Sequence, residues 1–313
     1  VSSTAGKIDL AEMPVQQPSA PRGVPEMRAR FFNSGNAFNV KLAPVPAATF
    51  GAEAATAQRA PTGAIACDQS ALIGTPFAAT TPLMLARYVT VRPGDSSALT
   101  FAATGAIWYV ISGAGRARSG TETIAFGAGD VLLAPGGSAT VIEGTGDENA
   151  VLWVVTNEPQ LAFEHSLPAT GAAGAIEFVH YPAREIALQL ERVVAAAHNP
   201  TTSGIALIFS SVREIASRNI MPALTLSLNT VPAGEQQRPH RHTSAAVTLI
   251  LRGNDCYSLV GGTRCAWRPY ATLVTPAGEP HSHHNDGGER ALFLIVQDGG
   301  LYYHARTMDF TFL

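Results

Sequence analysis

Short apolar runs broken by Gly- and Pro-marked turns fill two stretches of the chain. The first covers 83–157, with candidate strands at 85–91, 107–111 and 151–155. The second covers 223–297, with candidate strands at 224–228, 246–251, 257–260 and 292–296. Many short strands at regular turn spacing argue for barrels or sandwiches. Between the two stretches, 183–198 reads as a helix: Ile186, Leu188, Leu190, Val193 and Val194 sit among Ala, Glu, Gln and Arg, and Asn199-Pro200 stops it. Residues 44–82 show little periodicity and read as an arm or long loop. The predicted organisation is 1–82 as an N-terminal arm with lead-in strands, 83–160 as a first β domain, 161–222 as a connector with its helix, and 223–313 as a second β domain.

An internal repeat links the two β domains. Gly234, His240, His242, Ala246 and Gly253 recur as Gly94, Thr100, Ala102, Ala106 and Gly113, each 140 residues earlier. Pro276-Ala277-Gly278 recurs as Pro135-Gly136-Gly137, 141 residues earlier, and His281 then matches Thr140. The turn-shaping residues stand in both copies, and the imidazoles in the second alone. Thr100, Ala102, Ala106 and Thr140 offer no useful set of transition-metal ligands, so the first domain is expected to be structural.

Residues two apart on a strand share a face. Within Arg238-Pro239-His240-Arg241-His242, the two imidazoles therefore point one way and Arg241 the other. Within His281-Ser282-His283-His284-Asn285, the same parity groups His281, His283 and Asn285. Two imidazoles from one strand and a third from a neighbour make a facial three-nitrogen site with positions left open for water, dioxygen or substrate. Such a site suits Fe, Zn, Cu or Ni, and its openness suits non-haem Fe(II). His283 lines the same pocket as a proton carrier or substrate contact, or is an ordinary hydrogen-bonded histidine. His284 has the opposite parity. His180, His198 and His304 have no partner at ligand spacing. Of the three cysteines, Cys67, Cys256 and Cys265, the last two flank a Gly261-Gly262 turn that sets Ser258 opposite Cys265, so they are read as unpaired thiols.

The second domain resembles the cupin family. That family's first motif runs Gly, five residues, His-x-His, three residues, Glu, six residues, Gly; its second runs Gly, five residues, Pro-x-Gly, two residues, His, three residues, Asn. Gly234, His240, His242, Gly253, Pro276, Gly278, His281 and Asn285 fall in place, while Ala246 stands at the Glu position and Tyr270 at the second motif's opening Gly. Without the Glu, the site keeps the full charge of a divalent ion, which favours an anionic ligand. The resemblance implies an all-β fold: two cupin (jelly-roll) β-barrels with a helical connector. Gly234-Glu235, Pro239-His240-Arg241-His242-Thr243 and His281-x-His283-x-Asn285 further resemble gentisate-type ring-cleaving dioxygenases, over about residues 231–298. In that family the metal barrel is usually the N-terminal one, whereas here it is the C-terminal one. The resemblance implies Fe(II) held by His240, His242 and His281, with Mn, Zn or Ni as alternatives, and His283 as a catalytic group. It also implies Arg238 or Arg306 as a carboxylate anchor and Gln237 and Gln297 as amide contacts to substrate. Trp267 and Tyr257 are expected to pack the domain.

Composition removes some function classes. Net charge is -3 at pH 7 and only 14% of residues are charged, so no basic stripe points to nucleic acid. No apolar run approaches the ~20 residues of a membrane span. The opening 25 residues lack a basic and then apolar leader, which reads as a cytoplasmic or already trimmed protein. The expected partners are a small aromatic acid, dioxygen and further copies of the chain, as a dimer or tetramer. The leading function is an Fe(II)-dependent dioxygenase cleaving the ring of a carboxylate-bearing hydroxylated or amino-substituted aromatic. The alternatives are another metal-dependent cupin enzyme (a lyase, hydrolase or isomerase) and a non-catalytic binder of small acids.

Overall fold

The computed structural model describes residues 8–38, 40–196 and 204–313. They form two units, Val1–Pro44 and Val45–Leu313. The first unit holds one helical turn, α1 (Val24–Met27), with Pro25 in its first turn, and a two-way backbone bridge between Gln16 and Phe31 at 3.0 Å.

The second unit opens with β1 (Ala48–Phe50), α2 (Gly51–Ala57), β2 (Gly63–Ala66) and α3 (Ser70–Ile73). Next come β3 (Leu85–Val91), β4 (Ser96–Thr100), β5 (Gly105–Ser112), β6 (Ala114–Ser119), β7 (Glu122–Gly127), β8 (Val131–Pro135), β9 (Ala139–Gly144) and β10 (Ala150–Thr156). The connector carries α4 (Glu158–Phe163), a 3-10 turn at Gly171–Ala173, β11 (Val179–Tyr181) and α5 (Ala183–Ala195). Then follow β12 (Ile205–Phe209), β13 (Thr225–Val231), β14 (His240–His242), β15 (Ala246–Arg252), β16 (Cys256–Val260), β17 (Thr263–Ala266), β18 (Thr272–Thr275), β19 (His281–Asn285) and β20 (Ala291–Gln297). The chain closes with α6 (Gly299–Ala305) and β21 (Phe310–Phe312).

The strands build four open sheets. Two have six strands, in the orders β11-β8-β5-β10-β3-β2 and β1-β18-β15-β20-β13-β12. The other two run β4-β9-β6-β7 and β17-β16-β19-β14-β21. The two six-stranded sheets pack back to back through one large core that includes Tyr88, Ile107 and Trp153 from one side and Leu226, Leu249 and Val296 from the other. Each large sheet also faces a smaller sheet across a second core. The central strands β10 and β20 are therefore covered on both faces, which explains their unbroken apolar runs, AVLWVV and ALFLIV. A polar chain crosses the back-to-back core. Trp153 Nε1 donates to Thr272 Oγ1 (2.9 Å), Thr272 Oγ1 lies 2.7 Å from the Tyr88 hydroxyl, and that hydroxyl donates to the Tyr270 carbonyl (2.6 Å).

The all-β expectation of two closed barrels with a helical connector is corrected. Six α-helices stand among the described residues, and each sheet ends in two edge strands instead of closing on itself. Alternation along a strand reports which face is buried; closure depends on strand tilt and register stagger, which alternation does not encode. Residues 44–82 are not a bare loop either. They contain two short strands and two short helices, and β1 joins the sheet of the second half by pairing Ala48 with Val274. Helix α5 buries Ile186 and Leu190, one turn apart, with Glu185 in its first turn and Arg192 in its last, as the helix dipole favours. The helix expected over 183–198 is present as Ala183–Ala195, and the rest of that span from residue 197, with its stop signal Asn199-Pro200, lies outside the described residues. Among the described residues no helix is long and apolar enough to cross a membrane.

The repeat is present with one slip. Leu99 pairs with Thr140 as His240 pairs with His281, and Gly137 N–H donates to the Phe101 carbonyl as Gly278 N–H donates to that of His242, each at 2.8 Å. The counterparts of His240 and His242 are thus Leu99 and Phe101, not Thr100 and Ala102, which face solvent. The segment after Gly94 is one residue shorter than that after Gly234, and the chain regains the residue before Ala106. A one-residue slip on a strand exchanges its faces.

Candidate metal centre

β14 and β19 are adjacent strands, and the pairing of His240 with His281 brings the three imidazoles together. The coordinating nitrogens of His240, His242 and His281 all lie within 4.8 Å of one another, and all three residues are buried. Each ring is oriented from behind. His240 Nδ1 meets the Arg238 carbonyl (2.9 Å), His242 Nδ1 the Ser244 carbonyl (2.8 Å) and His281 Nδ1 the Glu279 carbonyl (2.8 Å). A carbonyl can only accept, so each Nδ1 carries the proton and each Nε2 keeps its lone pair. Burial holds all three pKa values down: His240 below its ordinary value, His242 to about 4 and His281 to about 3, the last two also through the neighbouring imidazoles. At neutral pH the donors are uncharged, as a transition metal requires. This donor set fits one divalent transition ion. Among the described residues no carboxylate joins it, and Ala246 stands at the position of the cupin motif's Glu.

The imidazoles look across a cavity of about 550 Å³ onto the inner face of the six-stranded sheet. Strand register lays out that floor. Ala246 sits beside Gln297 and Gln297 beside Thr225; one rung on, Thr248, Ile295 and Ser227 lie side by side; next come Ile250, Phe293 and Asn229. β21 closes the edge of β14, and the Phe310 ring stacks on His240 with centroids 4.9 Å apart.

His283 also lines the cavity. Trp267 Nε1 donates to Ser258 Oγ (2.9 Å), and Ser258 Oγ lies 2.8 Å from His283 Nδ1. The indole can only donate. The buried serine proton therefore goes to His283 Nδ1, which places the imidazole proton on Nε2. Burial, with the neighbouring imidazoles second, keeps this ring neutral. His283 is a donor with a fixed tautomer. Asn285, on the same face, is a structural tie: Nδ2 donates to the carbonyls of Val231 and Pro232 (3.0 Å each) and of Glu289 (2.8 Å). His284 points outward and stacks on Tyr257, which Arg264 covers from the other side.

The remaining expected contacts divide. Gln237 and Gln297 line the cavity. Gln297 Nε2 lies 3.3 Å from His242 Nε2, and Gln297 Oε1 accepts from Ser244 Oγ (3.2 Å). Arg238 and Arg306 do not line it. Arg238 is exposed over the Phe312 ring at 4.3 Å, and Arg306 follows α6 with φ 60° and donates to the His304 carbonyl. The arginine among the residues that line the cavity is Arg218, exposed in the loop between β12 and β13. Sequence reading missed Arg218, Phe310, Ser227 and Asn229. The last two alternate with Leu226 and Leu228, a pattern that reads as a solvent-facing strand; here the polar side faces a cavity. The Gly261-Gly262 turn does set Ser258 opposite Cys265, and the three cysteines are free thiols. Tyr270, at the motif's Gly position, adopts φ 61°, a left-handed conformation in which its carbonyl accepts from the Tyr88 hydroxyl across the back-to-back core.

The cupin domain family matches residues 227–297. A gentisate 1,2-dioxygenase from a Ralstonia species is 35% identical over 82 residues, which are 26% of this chain and 23% of that protein. A 5-aminosalicylate 1,2-dioxygenase from a Comamonas species is 32% identical over 77 residues, 24% of this chain and 21% of that protein. The aligned segment thus spans under a quarter of these relatives' length. In fold the likeness is longer: the crystal structure of salicylate 1,2-dioxygenase from Pseudaminobacter salicylatoxidans superposes with a TM-score of 0.74 over 90% of this chain and 92% of that one, at 12% identity.

Proposed function

For a chain whose residues 227–297 match the cupin domain family, and which is similar in sequence over 82 residues and in fold over most of its length to aromatic-acid dioxygenases, we propose an Fe(II)-dependent dioxygenase that opens the ring of a hydroxylated or amino-substituted aromatic acid. The observation that carries this reading is the convergence of three neutral Nε2 lone pairs on the wall of a cavity sized for a small aromatic molecule. When bound, Fe(II) supplies electron transfer between an aromatic ring and dioxygen at positions the protein leaves open.

The chain's own groups do the rest. His240, His242 and His281 would hold the ion, and the carbonyls behind them fix the rings, so little reorganisation would be needed on binding. Because the three ligands are neutral, the ion's charge favours a carboxylate and an adjacent hydroxyl as chelating groups. His283 offers its Nε2 proton to a substrate oxygen, with Ser258 and Trp267 holding it in that tautomer. Ile295 gives the ring an apolar bed, and Phe310 covers the edge of the site beside His240. Arg218, exposed where it lines the cavity, draws anionic substrates toward it.

The test is oxygen consumption by Fe(II)-loaded protein across salicylates, gentisates and aminosalicylates. The proposal expects uptake matched by loss of aromatic absorbance and abolished by chelator and by His240→Ala. No uptake with any of these acids, at full iron occupancy, overturns it.

A further inference from the structure

On the cavity floor, Ser227 and Asn229 form a polar pair whose protein contacts leave one donor and one acceptor open. Asn229 is only 8% exposed. Its Nδ2 donates to Ser227 Oγ (2.8 Å) and to the Ser227 carbonyl (3.3 Å). The carbonyl can only accept, so the amide orientation is set: Nδ2 faces the strand, and Oδ1 receives no hydrogen bond from the described residues. Ser227 Oγ uses a lone pair on Asn229, which leaves its own proton to give. Both residues line the cavity beside the imidazoles. Their flanks are apolar, with Ile295 and Ile208 opposite Ser227 and Phe293 and Ala206 opposite Asn229. Oδ1 opens onto the cavity, where a ligand group that donates to it in place of water, with these apolar flanks around it, gains selectivity.

We infer that Ser227 and Asn229 form a subsite for a hydroxyl or amino substituent on the aromatic ring, distinct from the groups that reach the metal. A hydroxyl or amine can donate to Asn229 Oδ1 and accept from Ser227 Oγ at once. A carboxylate only accepts, and would face the Asn229 oxygen with no cation beside it among the described residues; Arg218, which also lines the cavity, is exposed. The substrate class narrows to monocarboxylic aromatic acids carrying a second, uncharged polar group. This inference rests on the reading of the site as one for aromatic acids.

Binding measured without turnover tests it. Metal-loaded protein is titrated by calorimetry under anoxic conditions with salicylate, 2,4-dihydroxybenzoate, gentisate, 5-aminosalicylate and 5-carboxysalicylate. The best of the hydroxyl- or amino-bearing probes is expected to bind about tenfold more tightly than salicylate, and 5-carboxysalicylate no more tightly than salicylate. Asn229→Leu and Ser227→Ala are each expected to bring that ratio to within about threefold of unity while salicylate affinity stays near that of the native chain. Ser227→Ala is the milder change and serves if Asn229→Leu fails to fold. A preference that survives both variants, or a carboxylated probe that binds most tightly, overturns the subsite and leaves the aromatic-acid reading standing. Failure of all five probes to bind overturns that reading and the subsite with it.

Discussion

The two halves of this chain share a frame and differ in what fills it. In the first half apolar side chains pack the space between the large and small sheets. Leu99 and Phe101 occupy the positions of His240 and His242, Trp108 that of Thr248, and Val89 that of Asn229. Trp108 is fully buried, and its ring lies 5.8 Å from that of Phe101. In the second half the same positions carry imidazoles, a hydroxyl and an amide around a cavity of about 550 Å³. The first half therefore lacks more than ligands. Its ligand strand has slipped by one residue, and its interior is packed with apolar side chains, so restoring histidines at Thr100 and Ala102 would place them in solvent.

That contrast can be broken from either side. The largest effect falls on the ligands. His281→Ala is expected to remove bound metal and to lower oxygen consumption more than about a hundredfold, measured by elemental analysis and an oxygen electrode. Trp108→Ala acts on the packed half. It should cost about 3–5 kcal/mol of unfolding free energy in denaturant titration, with metal content unchanged. A loss of metal in that variant would mean that the halves are not independent in function.

Acid should separate the halves next. Free imidazoles take protons near pH 6.5, whereas His242 and His281 in the fold do so only at about 4 and 3. Between those limits the unfolded chain binds more protons, so stability is full above pH 6.5 and falls as pH drops toward 4. Asp298 opposes this, since burial pushes its pKa up to about 7 and it gains from acid. It is one group against the five lowered histidines His240, His242, His281, His283 and His284. Metal-free protein should therefore melt at lower temperature at pH 5 than at pH 7, and His281→Ala should flatten that dependence.

Smaller changes sharpen the picture. Tyr88→Phe removes the hydroxyl that joins Thr272 and Tyr270 across the back-to-back sheets and should cost about 1–3 kcal/mol by thermal unfolding. Thr248→Val should be neutral or stabilising by up to about 1 kcal/mol, because the Thr248 hydroxyl is buried with no partner among the described residues.

Much of the site was legible before the fold. Strand parity placed His240, His242 and His281 on inward faces and Arg241 outside, since alternation is local and exact spacing carries it. The strand spans in both halves were also close. The slip at β4 was not legible: the glycines that bracket it keep their 140-residue offset, and only pairing across to β9 reveals it. The substrate-facing groups were the hardest to see. Nearness to the ligands in sequence points to Arg238, yet it stacks on Phe312, while Arg218 lines the cavity from a loop 22 residues before the first ligand. Proximity in sequence says little about which loop overhangs a cavity.

The most direct test is an anomalous-scattering map of crystals grown from protein loaded with a divalent transition metal. The account requires one strong peak per chain, within bonding distance of the Nε2 atoms of His240, His242 and His281. A peak inside the first half, or none near those three nitrogens at full occupancy, contradicts it.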